Sequence, residues 1–130
     1  MPGRAIFFVQ RGSYEPAYQA TTLGITSAAM GDEVYFVLAF DALREWIGGN
    51  FGEPRTEKEI AESRRADSLG LPPPKKLLEE ARSLGAKVVV CDSMLKICGF
   101  SSADVSGKVS DVMGLAAIWR LTEGARLLSI

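Results

Sequence analysis

Apolar stretches alternate along the chain with segments that have helical spacing. Five stretches consist almost entirely of apolar, β-branched or aromatic residues: residues 5–9, 34–40, 87–91, 108–113 and 126–130. Runs of this length without polar alternation are typical of strands covered on both faces. The pattern therefore predicts a buried, mostly parallel sheet of five strands, of which 108–113 has the weakest signal.

Helical signals separate these predicted strands. The first helix is predicted to begin near Pro16 and to run to about Met30, with Gly31 as its stop. Further helices are predicted over residues 73–86 and 115–124, where apolar side chains recur three and four positions apart. Alternating strands and helices predict a three-layer α/β/α fold, with right-handed crossovers placing helices on both faces of the sheet.

The first predicted helix carries a stripe of small residues. Ala20, Gly24 and Ala28 recur at four-residue spacing, so they share one face of the helix. A glycine within a helix costs about 1 kcal/mol relative to alanine. We expect close packing of this face against the sheet to offset that cost.

A polar insert from about residue 48 to 71 interrupts the α/β pattern. Thr56 and Glu59 have the spacing of a capping box, which predicts a short helix. An insert of this length in a small domain is typical of a lid, an oligomer contact or a mobile loop. Its adjacent Arg64 and Arg65 are interpreted as a solvated helix face.

Length and composition predict one globular domain over residues 1–130. The chain is 47% hydrophobic and 24% charged with a net charge of −1, which excludes a disordered chain and leaves no basic field for nucleic acid. No apolar run approaches the ~18 residues of a membrane helix, and the first residues are not apolar enough for a signal peptide. We expect a cytoplasmic protein with no nucleic-acid partner and no membrane span.

The absence of histidine limits the chemistry. With no histidine in the sequence, Ser-His-Asp and Cys-His activation and histidine-based zinc sites are excluded. The two cysteines lack Cys-x-x-Cys spacing, so we expect no metal and no other cofactor. Without an export signal, both are expected to be reduced thiols.

Cys91 is the candidate reactive residue. It ends the third predicted strand, and residues 92–97 can form a helix behind it. Ligands gather in the crevice at the carboxyl ends of parallel strands. Backbone N–H groups at a helix start, here those of Ser93 and Met94, favour a thiolate. The alternative is that Cys91 is a small buried hydrophobic residue that ends a strand.

Other side chains modify or extend this candidate site. The carboxylate of Asp92 disfavours a negative charge on the neighbouring Cys91 sulfur, whereas the positive charge of Lys96, one helical turn further on, compensates for this. Cys98, on a helical path, lies about 10 Å from Cys91, beyond the ~7 Å that a disulfide spans, so we interpret it as a packing residue. Further anion or pocket candidates follow the first two predicted strands: Arg11, Gly12, Ser13 and Asp41.

Nearly the whole chain resembles the DsrE/DsrF-like family of sulfur-relay proteins, which includes DsrE and TusD, and especially its branch called predicted peroxiredoxins. The resemblance covers the opening strand, the stretches AAMGDEVYFVLAFDAL and LLEEARSLGAKVVVC, and the closing GLAAIWRLTEGA. Its most specific element is the seven residues between Cys91 and Gly99. No resolving cysteine lies in reach, so the peroxiredoxin label is not taken as an activity.

The resemblance implies a DsrE/F-like fold and a sulfur carrier or sulfurtransferase-like protein. Cys91 corresponds to the cysteine that accepts sulfane sulfur as a persulfide from a donor protein and passes it to an acceptor. Family members are oligomers, so a homo-oligomer is implied, with trimers and hexamers among the possible forms. Trp46, Phe51 and Trp119 are candidate interface aromatics, with core packing as the alternative. A non-catalytic oligomeric binding or scaffold module with a structural Cys91 is the second hypothesis.

Overall fold

A five-stranded parallel sheet forms the centre of the protein, in a computed structural model that describes residues 3–130. Its strands are β1 (Arg4–Val9), β2 (Glu33–Leu38), β3 (Lys87–Cys91), β4 (Asp111–Met113) and β5 (Arg126–Ser129). They lie in the order β4-β3-β2-β1-β5, and each neighbouring pair is parallel. The predicted α/β class with a five-stranded sheet is confirmed.

Seven helices connect or flank these strands within residues 3–130. They are α1 (Tyr14–Ala29), α2 (Phe40–Gly48), α3 (Glu57–Ser68), α4 (Pro74–Ser83), α5 (Asp92–Ile97), α6 (Ser102–Val105) and α7 (Leu115–Leu121). In this described part of the chain, no helix combines the length and the apolar character that a bilayer crossing requires.

The strand order decides on which side of the sheet each helix lies. From β1 to β4 the chain moves in one direction across the sheet, so right-handed crossovers put α1, α2, α4, α5 and α6 on one face, here called face 1. The return from β4 to β5 runs the opposite way, and α7 therefore lies on the other face, called face 2. The predicted three-layer arrangement is confirmed, with unequal outer layers.

Face 1 carries the larger core. Phe7 of β1 and Phe36 of β2 stack with ring centroids 5.5 Å apart, because residues paired in parallel register point to the same side. Trp46 meets Phe51 edge to face at 5.8 Å and donates from its indole nitrogen to the Lys108 carbonyl at 2.6 Å. Trp46 and Phe51 are 7% and 2% exposed, so they are core residues, and the expectation of interface aromatics is wrong for these two.

The small-residue stripe of α1 lies against the sheet as expected. Ala20 is fully buried, and a Cβ atom built on Gly24 would lie 2.1 Å from Cζ of Phe36. No real side chain fits at that distance. The Phe36 ring therefore occupies the space that any other residue at position 24 would need.

Face 2 has a thinner cover. Its buried cluster contains Ile6, Tyr35, Val37 and Val89 from the strands, and in the described chain only α7 contributes a buried helical residue, Ile118. Large apolar side chains of α7 and β5 stay in solvent: Leu115, Trp119 and Leu127. Trp119, at 71% exposure, is the one candidate interface aromatic that is free on the surface of residues 3–130.

Two helices, α2 and α6, were not predicted. The second apolar run was predicted as a strand to residue 40, but β2 ends at Leu38 and Phe40 begins α2, which was not predicted. The polar insert contains the expected capped helix: Thr56 Oγ1 accepts the Glu59 N–H at 3.1 Å, and Glu59 Oε1 accepts the Thr56 N–H at 3.1 Å. Arg64 and Arg65 are exposed on it, as interpreted.

Candidate functional site

The connections that follow β3 and β4 leave the sheet in opposite directions. From β3 the chain turns to face 1 with α5, whereas from β4 it turns to face 2 with α7. Connections that diverge from adjacent strands leave a crevice at the strand ends, and ligands of parallel α/β folds bind at such a switch point. Cys91 and Met113 end these two strands and are register partners. The candidate thiol therefore lies at the switch point of the sheet.

Cys91 is half-buried, and it points toward face 2. Its side chain packs against the face-2 cluster, which contains Ile118 of α7. The thiol donates toward Asp92 Oδ1 across 3.8 Å, and it makes no capping bond to the helix that follows. The sulfur is thus neither sealed in the core nor fully in solvent.

At the start of α5, the Asp92 carboxylate binds a backbone N–H group that was expected to face the Cys91 thiol. Its Oδ1 accepts the N–H of Ser93 at 2.7 Å, so that N–H group is already paired, and its expected role in stabilising a Cys91 anion stays a prediction. Met94 packs half-buried against the face-1 core, on the opposite side of the sheet from the thiol. Lys96 is exposed in the last turn of α5.

The second cysteine faces the other side of the sheet. Cys98 follows α5, packs half-buried against the face-1 core and lies with its sulfur 3.8 Å from Nη1 of Arg44. Both cysteines are free thiols. The sheet separates them, in agreement with the interpretation of Cys98 as a packing residue.

Two of the candidates after β1 and β2, Gly12 and Asp41, are hydrogen-bonded to each other and so link the connection after β1 to the connection after β2. We call this link the brace. The Gly12 N–H donates to Asp41 Oδ2 at 2.8 Å, and a Cβ on Gly12 would lie 2.9 Å from Cβ of Glu45, so α2 packs directly on this loop. Ser13 precedes α1 without a side-chain capping bond, and Arg11 is exposed.

This brace lies away from the switch point. Its Gly12 end follows β1, which is two positions from β3 in the sheet, about 10 Å at the usual strand spacing. Its Asp41 end belongs to α2, which packs on face 1, whereas Cys91 points to face 2. The Gly12 N–H and the Asp41 carboxylate are bonded to each other, and their role as anion or pocket residues beside the thiol stays a prediction.

Sequence reasoning missed two residues at the strand ends. Phe40 follows β2 with φ at 46°, a left-handed conformation that costs a non-glycine residue about 1–2 kcal/mol, and its side chain is 43% exposed. Met113 adjoins Cys91 only through the β3–β4 register. Neither residue could be predicted from the local sequence. An aromatic residue such as Phe40 does not indicate a positive φ, and the sequence of a single strand does not determine which residue of the next strand lies beside Cys91.

Metal-ligand groups do not gather in the part of the chain that the structure describes. Across residues 3–130, no three His, Cys, Asp or Glu side chains are placed to hold one ion. The reactive groups that lie next to each other at the switch point are the Cys91 thiol and the Asp92 carboxylate.

Comparisons with known proteins find the fold and no sequence family. No protein-family model and no curated protein matches the chain. The crystal structure of the YchN protein from E. coli superposes with a TM-score of 0.67 at 16% identity, over 100% of both chains. The protein of unknown function MTH1491 from Methanobacterium thermoautotrophicum has a TM-score of 0.57 at 15% identity, over 98% of this chain and 99% of its own.

A third solved structure agrees. The conserved protein of unknown function BT1422 from Bacteroides thetaiotaomicron has a TM-score of 0.57 at 11% identity, over 96% of this chain and 94% of its own. These likenesses confirm the expected α/β fold. At such identities they establish the fold alone.

Proposed function

We propose that the protein is a sulfur carrier in which Cys91 accepts sulfane sulfur as a persulfide and passes it to a partner protein. The observation that carries the proposal is the position of this thiol, half-exposed at the switch point between β3 and β4. A carrier needs a thiol that a donor can reach and an apolar wall that shields the product from water. Met113 and Ile118 supply that wall on face 2.

The transfer is an exchange at sulfur that needs no external oxidant. The Cys91 thiolate attacks the terminal sulfur of a donor persulfide, the new S–S bond forms as the donor S–S bond breaks, and the donor leaves as a thiolate. An acceptor thiolate then attacks the outer sulfur and Cys91 is released as a thiolate. The proton of the resting thiol passes to solvent or to Asp92, whose Oδ1 lies 3.8 Å from the sulfur.

We further propose that the protein self-associates through face 2, in a reducing compartment such as the cytoplasm. The apolar side chains of α7 and β5 that stay exposed on this face, Leu115, Trp119 and Leu127, support a protein interface. Exposed Lys96 and Arg11 are candidates for attracting an anionic donor or acceptor surface.

A non-catalytic binding or scaffold module is the second candidate. Two observations favour it: the Ser93 N–H is bonded to Asp92 instead of the sulfur, and the sulfur of Cys91 lies 3.8 Å from a carboxylate oxygen of Asp92. In such a module Cys91 is a small wall residue of the crevice.

Intact-mass measurement separates the two candidates. We expect the wild-type protein, incubated with excess inorganic polysulfide and desalted, to gain about 32 Da, the mass of one sulfur atom. Cys91→Ser should abolish the gain and Cys98→Ser should keep it. An unmodified wild-type mass, or an adduct that depends on Cys98 alone, would exclude the sulfur carrier and leave the scaffold module.

A further inference from the structure

Helix α3 of the polar insert lies on the protein without burying any of its own residues. All residues of α3 are described, and each is at least partly exposed. Ser63 of α3 shares a side-chain hydrogen bond with Tyr14 of α1. The rings of Tyr14 and Tyr18, with centroids 5.5 Å apart, line clefts together with residues of α3. Clefts of about 240 and 510 Å³ adjoin this contact, and Ala66 lines both of them. Because none of its residues is buried, packing contributes little to holding α3 on the protein.

A pair of carboxyl groups lies in this contact. Glu62 of α3 faces Glu15 of α1, and Lys58 Nζ lies 3.1 Å from Glu15 Oε2. The Oε1 atom of Glu62 is inaccessible to solvent, and no donor in residues 3–130 reaches it. Two carboxylates cannot hydrogen-bond to each other, but a carboxylic acid and a carboxylate can, since the acid supplies the proton.

The surroundings of Glu62 favour its protonated form. Burial of its carboxyl raises the pKa, and the neighbouring Glu15 raises it further, whereas Lys58 and Arg65 act in the opposite direction. The charged and titratable groups of α1 and α3 around it are Tyr14, Glu15, Tyr18, Lys58, Glu59 and Arg65. Arg64 and Asp67 line the cleft on the other side, and the segment after α3 adds only uncharged Leu69, Leu71 and Pro73 to the two clefts.

We propose that α3 is a proton-controlled flap over Tyr14 and Tyr18. When Glu62 is protonated, its carboxylic acid donates a hydrogen bond to the Glu15 carboxylate, and α3 stays docked on α1. When Glu62 ionises, its carboxylate and that of Glu15 repel each other, and the helix moves away. Release uncovers the two tyrosine rings at the start of α1. The flap is independent of sulfur transfer at Cys91.

The sign of the pH dependence follows from the raised pKa. Glu62 has an ordinary pKa of 4.5 when it is free of the contact, and docking raises it. The docked state is therefore at full strength below pH 4.5, and docking weakens as pH rises toward the higher pKa of the docked carboxyl. Between these two pKa values, the equilibrium constant for release of α3 rises by at most about tenfold per pH unit. Above the pKa of the docked carboxyl, this constant levels off.

Hydrogen exchange of α3 tests the flap. We expect mass spectrometry between about pH 4 and 8, with rates corrected for intrinsic amide chemistry, to show α3 opening more often as pH rises. Glu62→Gln should abolish this rise and hold α3 at the protection of the wild type at low pH, because an amide can donate to Glu15. Glu57→Gln, which alters an exposed glutamate in the first turn of the same helix, should keep the wild-type rise.

Peptides from α4 report whether each variant is folded, since α4 packs on the core through Leu78 and Ala81. Three results would overturn the proposal: wild-type α3 protection that does not change with pH, a Glu62→Gln variant with the wild-type rise, or a Glu62→Gln variant in which α3 is less protected than wild type throughout while α4 is unchanged.

Discussion

At the scale of single residues, Gly24 shows how a helix can depend on the absence of a side chain. Gly24→Ala gains up to about 1 kcal/mol of helix propensity, but its Cβ meets the buried Phe36 ring at 2.1 Å. Overpacking of a core costs about 1–3 kcal/mol. We expect a net loss of up to about 2 kcal/mol in the free energy of unfolding, measured by urea denaturation.

Gly48→Ala is the matched control for this substitution. A Cβ at Gly48 has only Asn50 Nδ2 nearby, at 3.6 Å, and the residue ends α2, so we expect the protein to keep or gain stability. A Gly24→Ala protein as stable as the wild type would mean that the Phe36 ring moves freely, against its 1% exposure.

Asp92 is predicted to restrain the reactivity of Cys91. Two unit charges about 4 Å apart repel by about 1 kcal/mol in water, and the sulfur lies 3.8 Å from Asp92 Oδ1. Asp92→Asn keeps an oxygen for the Ser93 N–H while it removes the charge. We expect alkylation of Cys91 at neutral pH to become about fivefold faster, with the rate at Cys98 in the same molecule as the internal control. An unchanged or slower rate at Cys91 would contradict this.

At the scale of elements, a carboxylate fixes the turn between α1 and β2. Asp32 accepts the Ser27 hydroxyl at 2.7 Å and the Gly3 N–H at 2.9 Å. The Ser27 bond lowers the pKa of Asp32 most, and the Gly3 bond adds to this. Since the folded pKa is below the ordinary value of 3.8, the stabilisation is complete above that pH and is lost as pH falls through the folded pKa.

Asp32→Asn should therefore lose stability at neutral pH and differ less from the wild type in acid. Urea denaturation at several pH values from neutral down to about 3 checks this, with Glu79→Gln, an exposed residue of α4, as the control that should follow the wild type. A difference between Asp32→Asn and wild type that stays constant over this range would show that the charge is not the cause.

Local patterns predicted most elements because each carries its own signal. Continuous apolar runs marked β1 and β3, and the Thr56 capping box marked α3. Helix α2 was missed since the apolar run continues through Phe40, where only a positive φ turns the chain. The candidate site divides in the same way: Cys91 was predicted at a strand end, but its neighbour Met113 depends on strand order, which no single segment encodes.

At the scale of the whole molecule, the unequal layers of the sheet predict self-association. Trp119→Glu places a charge on the exposed surface of α7, and we expect it to reduce the oligomer that light scattering detects for the wild type at the same concentration. Met30→Glu is the control, because Met30 is 78% exposed at the end of α1, away from face 2. A wild-type monomer, or an oligomer that Trp119→Glu leaves intact, would contradict the proposed interface.

The contrast between the two indole side chains gives the protein built-in optical reporters. Trp46, shielded at 7% exposure and hydrogen-bonded to a backbone carbonyl, should emit at shorter wavelength and resist quenching by iodide until the chain unfolds. Trp119, at 71% exposure, should emit at longer wavelength and be quenched readily. A loss of the iodide-accessible fraction without a change in the shielded one would therefore signal a partner covering α7, with no label attached to the protein.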